Sequence, residues 1–186
     1  KWNDDDQAEE IENDAGQVIK YLYGFSGARV YKGTDNGQTH YAGRHLEWTS
    51  GSGSLTKYIY AGRRVIARKD ASGTYWYHQD RLGSTRLLTD TNGAVVQRYD
   101  YRPFGATAGS AGTVNTDIRF TGHRAEVETG LSYLNSRLYE PALGRFLSAD
   151  GAVPNQYDTQ ALNRYSYAYN NPTAHVDPSG HQPESA

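Results

Sequence analysis

Apolar and polar residues alternate in short runs along most of this chain, and glycines interrupt the runs at near-regular intervals. Tyr21-Leu-Tyr23, Tyr58-Ile-Tyr60, Tyr75-Trp-Tyr77 and Tyr99-Asp-Tyr101 repeat aromatics at period two, which lines one face of a β-strand. Turn glycines recur at Gly16, Gly37, Gly53, Gly73 and Gly93, with spacings of 21, 16, 20 and 20 residues. A second turn follows most aromatic pairs: GFSG at 24–27, AGRR at 61–64, DRLG at 80–83 and RPFG at 102–105. Each unit reads strand, turn, strand, turn. A period near 20 predicts a repeat array in which one unit cannot bury its own face. The clearest hairpin runs from Arg86 to Tyr99. Its Asn92-Gly93 pair predicts a type I′ turn with both residues at positive φ, and Asn36-Gly37 and Ser72-Gly73 predict equivalents.

At residue 106 the pattern changes. The small residues of 106–117 predict a loop, and Glu128-Thr-Gly130 a turn. Leu131 to Tyr139 alternates as one strand, stopped by Pro141, and Gly144 makes the next turn. Residues 157–169 predict one short helical turn before an alternating strand from Arg164 to Tyr169. Residues 1–16 carry seven acids and one lysine, which predicts a solvated lead-in or short helix. The expected fold is all-β. An acidic lead-in (1–15) precedes repeat hairpins (16–105), a distinct terminal module (106–181) and a tail (182–186).

Composition sharpens this picture. With 16 Tyr against 4 Phe, and 20 Gly, the chain suits half-buried pleated surfaces joined by tight turns. The absence of cysteine excludes a disulfide framework and any Cys-based zinc site or nucleophile, and leaves the compartment open. A net charge of −2 gives no footprint for nucleic acid. No apolar run approaches the about 18 residues of a membrane span, so no membrane insertion by this segment is expected. The chain starts at Lys1, which reads as an internal fragment, a processed product or a trimmed piece, so any secretion signal would lie upstream. His40 and His45 have no nearby cysteine or well-placed carboxylate, GSGS at 51–54 lacks the lysine of a phosphate loop, and no G-x-S-x-G occurs. No metal or other cofactor is expected.

Specific motifs add a resemblance. QRYDYRPFG (97–105) resembles the tyrosine-rich repeat of the RHS/YD-repeat family. RFTGHRAEVETGLSYLNSRLYEPALGRFLSAD (119–150) is similar to the signature of its RHS-associated core, in which FTG, an acid-TG turn, Y-x-x-x-R-x-Y and GRF-L-S-x-D follow in order. LNRYSYAYNNPTAHVDPSG resembles the segment that closes that core. The core match spans about 75–181 and a looser repeat match 16–74. The resemblance implies a β-strip wound into a hollow shell, with the core as a plug. The family includes bacterial polymorphic toxins, C subunits of insecticidal Tc toxins and animal teneurins. It also implies a C-terminal toxin held inside the shell and released when the core cuts the chain just after a DPxG motif, using aspartates. The implied partners are the upstream shell and the downstream toxin, with delivery subunits or an immunity protein. The implied location is secreted or cell-surface.

Residue by residue, the match implies catalytic roles for Asp150, ending GRFLSAD, and Asp177, in PTAHVDPSG. Two carboxylates that share a proton split into a base toward water and an acid toward the substrate. The closest family pattern is P-x-x-x-x-D-P-x-G-L with cleavage after the Leu. Here His181 stands in place of Leu, so the implied scissile bond is His181–Gln182. Gly151 also replaces the usual proline after the first aspartate. Arg145 and Arg164 could support the pair by neutralising a carboxylate or holding the scissile carbonyl. Two other readings remain open. Asp-Pro-Ser-Gly suits a type I turn, in which Asp177 only accepts backbone hydrogen bonds in a non-catalytic scaffold. The tyrosine ladder, if exposed and coplanar, would instead form a glycan-binding surface; tyrosines packed on one another would be wall.

Overall fold

The computed structural model describes residues 1–151 and 162–185. It is almost entirely β. The first eleven strands are β1 (Glu10–Glu12), β2 (Val18–Tyr23), β3 (Arg29–Thr34), β4 (Gly37–Ala42), β5 (Leu46–Thr49), β6 (Ser54–Ala61), β7 (Arg64–Asp70), β8 (Gly73–Gln79), β9 (Thr85–Thr89), β10 (Val95–Tyr101) and β11 (Thr107–Gly112). They follow one another in chain order in one open antiparallel sheet. Then β12 (Arg124–Glu126), β13 (Leu131–Leu134), β14 (Arg137–Glu140) and β15 (Arg145–Phe146) form a four-stranded antiparallel sheet, and β16 (His175–Val176) pairs with β17 (Glu184–Ser185). No helix long and apolar enough to cross a membrane occurs among the described residues.

Two compact units emerge, residues 1–78 with 87–96, and residues 79–86 with 97–186. The divisions fall within β8, β9 and β10. In the first unit one face buries Ile19, Tyr21, Tyr58, Tyr75 and Tyr77. Their hydroxyls and ring faces are used as well as their area. Tyr58 donates to the Glu47 carboxylate at 2.7 Å, and the Arg29 guanidinium lies over the rings of Tyr21 and Tyr41 at 5.3 and 4.9 Å. Of the ladder, Tyr21, Tyr58, Tyr75, Tyr77 and Tyr99 are buried and Tyr23, Tyr60 and Tyr101 half-buried, so none stands exposed as a sugar platform. The opposite face exposes Leu22, Trp48, Leu55 and Trp76, and there Tyr31 meets His40 edge-on at 66°.

The second unit centres on Phe120, Leu134, Tyr139, Phe146, Tyr167 and Ala168, with Tyr101 and Phe104 against them. Tyr139 and Tyr167 lie 4.6 Å apart, and the Tyr139 hydroxyl donates to the Phe104 carbonyl at 2.7 Å. Burial pushes the phenols of Tyr101 and Tyr139 well above the usual tyrosine value, and that of Tyr167 up to about 12. They act as neutral polar ends on apolar bodies.

One turn recurs through the chain. The N–H of its first residue donates to the carbonyl four residues on, and the N–H of its fourth residue donates back to the first, as at Asn13–Gln17, Asp80–Ser84, Asp90–Ala94 and Arg102–Ala106. In three of these an Asx oxygen also accepts the N–H four residues on: Asn13 from Gln17, Asp80 from Ser84 and Asp90 from Ala94, each at 2.9 Å. This corrects the expected type I′ turns. Gly93 has φ +81°, but neither Asn92 nor Asn36 has positive φ; at Asp90 the Asx side chain fixes a right-handed turn and leaves the left-handed step to the glycine, and at the Asn36 turn the Thr34 hydroxyl takes the Asn36 N–H.

Four further expectations change. The acidic lead-in joins the sheet, with Glu10–Glu12 paired to β2. The expected small-residue loop contains β11, whose ladder with β10 depends on backbone groups and not on side chains. The single strand from Leu131 to Tyr139 is a hairpin, turned at Asn135, where φ is +62°. The strand expected from Arg164 to Tyr169 is absent: Ser166 makes one bridge to Arg145, and Ala168, Tyr169 and Asn170 adopt left-handed φ of 50°, 52° and 58°. The helical turn expected from residue 157 falls largely on 152–161, outside the described residues.

Candidate active site at the β13–β14 turn

Everything in this site belongs to the second unit, and its centre is Arg137, the first residue of β14. Strands β13 and β14 are apolar at Leu131, Leu134 and Leu138, and this burial carries Arg137 inside with only 5% exposure. The guanidinium lies on the Phe146 ring, 3.6 Å from its centroid. Its Nη1 donates to the carbonyls of Arg164 at 3.0 Å and Ser148 at 3.4 Å, and its Nε donates to the carbonyl of Gly180. Its Nη2 donates to Asp150 Oδ2 at 2.8 Å and lies 3.9 Å from Asp177 Oδ2. One nitrogen thus faces both carboxylates, which are 27 residues apart in sequence. A buried cation between two buried anions offsets the desolvation that each would suffer alone. Burial still lowers the Arg137 pKa from its ordinary value, against the raising pull of Asp150 and Asp177.

Asp177 is 1% exposed and starts the turn after β16. Its Oδ1 accepts the N–H groups of Gly180 at 2.9 Å, His181 at 3.0 Å and Gln182 at 3.1 Å. Burial raises its pKa above the usual aspartate value; Arg137 and the three N–H groups oppose that rise. Asp150 is 5% exposed, and its Oδ1 lies 3.0 Å from Nδ1 of His181. The two aspartates and both residues of the implied scissile bond therefore meet at one place.

Of the two arginines singled out from the sequence, Arg164 lies at the site and Arg145 does not. Arg145 is exposed on β15, opposite Glu140. Arg164 brackets the main chain of Asp150: its carbonyl accepts the Asp150 N–H at 2.9 Å, and its Nε donates to the Asp150 carbonyl. Arg137 was missed. The signal was present in the Y-x-x-x-R-x-Y match, where Arg137 is the arginine, but alternation alone gives no reason to bury a charge. Among the described residues no three His, Asp or Glu side chains gather to hold a metal.

His123 supports the same loop from below. Its Nε2 lies 3.3 Å from the Pro178 carbonyl and its Nδ1 2.9 Å from the Thr121 hydroxyl. That geometry suits the neutral ring, with Nε2–H donating to Pro178 and Thr121 donating to Nδ1. Burial pushes the His123 pKa down to about 4. The unfolded chain binds this proton near pH 6.5 and the folded chain only near 4, so the contribution is complete above 6.5 and is lost as pH falls toward 4. The loss amounts to about 3 kcal/mol. A His123→Gln variant keeps a donor for Pro178 and is expected to flatten this part of the stability curve. Urea midpoints measured from pH 7 to pH 4 check it; an acid arm as steep as in the parent contradicts it.

Comparison with known proteins agrees with this architecture. The family model described as Teneurin YD-shell matches residues 45–173. The tRNA3(Ser)-specific nuclease WapA of Bacillus spizizenii is 31% identical over 171 residues, covering 87% of this chain and 7% of the relative. Toxin subunit YenC2 of Yersinia entomophaga is 34% identical over 113 residues, covering 58% of this chain and 11% of the relative. The crystal structure of TcdB2-TccC3 superposes with a TM-score of 0.82 at 24% identity over 97% of this chain and 10% of that chain, a likeness of fold. This chain spans about a tenth or less of the length of these proteins. It belongs to the teneurin-type YD-shell family, the RHS/YD-repeat shells of polymorphic and Tc toxins.

Proposed function

We propose that this chain is the C-terminal part of a shell that encloses a downstream toxin polypeptide and frees it by hydrolysing its own His181–Gln182 bond. One observation carries the reading: Asp177 Oδ1 sits 3.1 Å from the nitrogen of that bond, while Arg137 Nη2 faces both Asp177 and Asp150. In the proposed step a water adds to the His181 carbonyl carbon, and Asp150 accepts its proton. The nitrogen of Gln182 becomes basic as the tetrahedral carbon forms. Asp177 enters the step protonated, a form that its burial favours, gives that proton to the nitrogen as the C–N bond breaks, and is left as the carboxylate. The products are a carboxylate at His181 and an amine at Gln182. On the leaving side, Val176 pairs with Glu184 and His175 with Ser185. A ladder that short is marginal, so the cut end separates readily.

Relatives bear names such as tRNA nuclease WapA and Double-stranded DNA deaminase toxin A, which supports a toxin as the downstream cargo. The upstream repeats would complete the shell wall. Export from a bacterial cell, with delivery subunits or an immunity protein as further partners, follows from the same reading. The non-catalytic alternative has its own support. Asp177 uses Oδ1 much as Asp80 and Asp90 use theirs in ordinary turns.

The natural longer protein separates the two readings. Intact masses of the parent, Asp150→Asn and Asp177→Asn are compared after purification. The proposal expects two fragments from the parent and a single uncut chain from each variant. A parent that stays whole makes Asp177 a turn residue. Fragments that persist in both variants assign the cut to another protease.

A further inference from the structure

Three consecutive side chains in the β13–β14 hairpin grip three consecutive carbonyls just before the His181–Gln182 bond. Asn135 Nδ2 donates to the Pro178 carbonyl at 2.7 Å, Ser136 Oγ donates to the Ser179 carbonyl at 2.8 Å, and Arg137 Nε donates to the Gly180 carbonyl. Each pair is separated by 43 residues, so the two segments run in step. The approach is close enough that a Cβ on Gly180 would lie 2.3 Å from the Leu134 carbonyl oxygen. Asn135 reaches Pro178 because it takes the left-handed conformation that asparagine tolerates, with φ +62°.

Main-chain carbonyls carry no sequence identity. A comb of donors at matched spacing therefore reads position along the chain. A slip of one residue moves the gripped segment by about 3.3 Å. That is enough to take Asp177 out of reach of Arg137 and to put a different residue against Asp150.

We propose that the β13–β14 turn is the register clamp of the self-cleavage, with Asn135 and Ser136 as the residues that select the His181–Gln182 bond. The inference rests on the cleavage proposed above. The clamp docks the Asp177 loop so that its carboxylate and the Asp150 carboxylate face one another across Arg137. All three gripped carbonyls lie on the retained side of the cut. The clamp therefore holds the product end after scission, and the site stays closed to a second chain.

The test uses the natural longer protein with Asn135→Gly and Ser136→Ala combined, beside Ser136→Thr, which keeps a hydroxyl. Glycine keeps the left-handed backbone and removes the donor. Two readouts are taken: the position and rate of the cut by intact mass, and hydrogen exchange at the amides of Gly180, His181 and Gln182. The clamp predicts that the parent and Ser136→Thr cut at one bond. The double variant is slower on the order of tenfold, with product ends spread to neighbouring bonds. A double variant that cuts only at His181–Gln182 overturns the clamp, whatever its rate, because a merely structural role lowers the rate without moving the cut. If the parent does not cut, the cleavage reading fails, and exchange alone judges the docking role. Exchange on the order of tenfold faster at those three amides in the double variant upholds it, and unchanged exchange overturns it.

Discussion

Replacing Arg137 with alanine is expected to destabilise the second unit by about 3–5 kcal/mol at neutral pH and to abolish any cut. The reason is the charge it leaves behind. Asp150 and Asp177 are 5% and 1% exposed, and Arg137 Nη2 lies 2.8 and 3.9 Å from their oxygens. Without the guanidinium, two buried carboxylates face each other with no cation between them, and the carbonyls of Gly180, Ser148 and Arg164 lose a donor. The pH dependence has a definite sign. The Asp177 pKa is already raised by burial and rises further without Arg137. The folded variant then takes up protons more readily than the unfolded chain. The penalty is therefore full at neutral pH and shrinks as the solution is acidified through the folded pKa. Urea denaturation of parent and variant at neutral and mildly acidic pH measures this. A loss that is small, or that does not change with pH, contradicts the role given to the guanidinium. Lysine is expected to rescue only in part, because a point charge cannot serve Asp150 and three carbonyls from one plane.

Gly180→Ala is expected to be nearly as severe, and local. Gly180 has φ +79°, and an added Cβ would meet the Leu134 carbonyl oxygen at 2.3 Å and the Ser136 hydroxyl at 2.4 Å. Strained φ and overpacking together cost about 3 kcal/mol. Much of that is avoided if the 177–182 loop simply lifts away from β13–β14. The expected result is thus rapid exchange at the Gly180, His181 and Gln182 amides while the core around Tyr139 and Phe146 stays protected. Adding Ser136→Ala should not restore docking, because the Leu134 carbonyl remains. Gly151→Ala is the control. Among the described residues nothing lies within 4 Å of its added Cβ, so the change should fall within about 0.5 kcal/mol. Equal effects at the two glycines contradict the close approach.

Much of this fold was legible in the sequence, and the exceptions have physical causes. The turn glycines at 16, 37, 53, 73 and 93 all take positive φ, because a tight turn needs a residue without a Cβ at one step. Period-two tyrosines mark buried strand faces, as at Tyr21, Tyr75 and Tyr77. What failed was the finer turn chemistry, since Asp90 and its side chain, three residues before the glycine, choose the turn type. Strand β11 was illegible because a ladder needs only backbone partners, which β10 supplies. The left-handed run at Ala168–Asn170 was illegible because neither alanine nor tyrosine announces it; packing of Tyr167 and Ala168 into the core holds it. Within the site, Asp150 and Asp177 were readable as motif positions. Arg137 was a motif position too, but its burial was not readable, because burial of a charge depends on two carboxylates that only the fold brings near.

The proposed self-cleavage between His181 and Gln182 has a direct readout. The most direct measurement is the intact mass of the fragment released by the natural longer protein when it is purified without added protease. Mass is preferable to stepwise sequencing, because an N-terminal glutamine cyclises and blocks it. Self-cleavage at this bond gives a fragment beginning at Gln182, with the remaining chain ending at His181. A fragment that begins elsewhere, or a chain that stays whole, contradicts it.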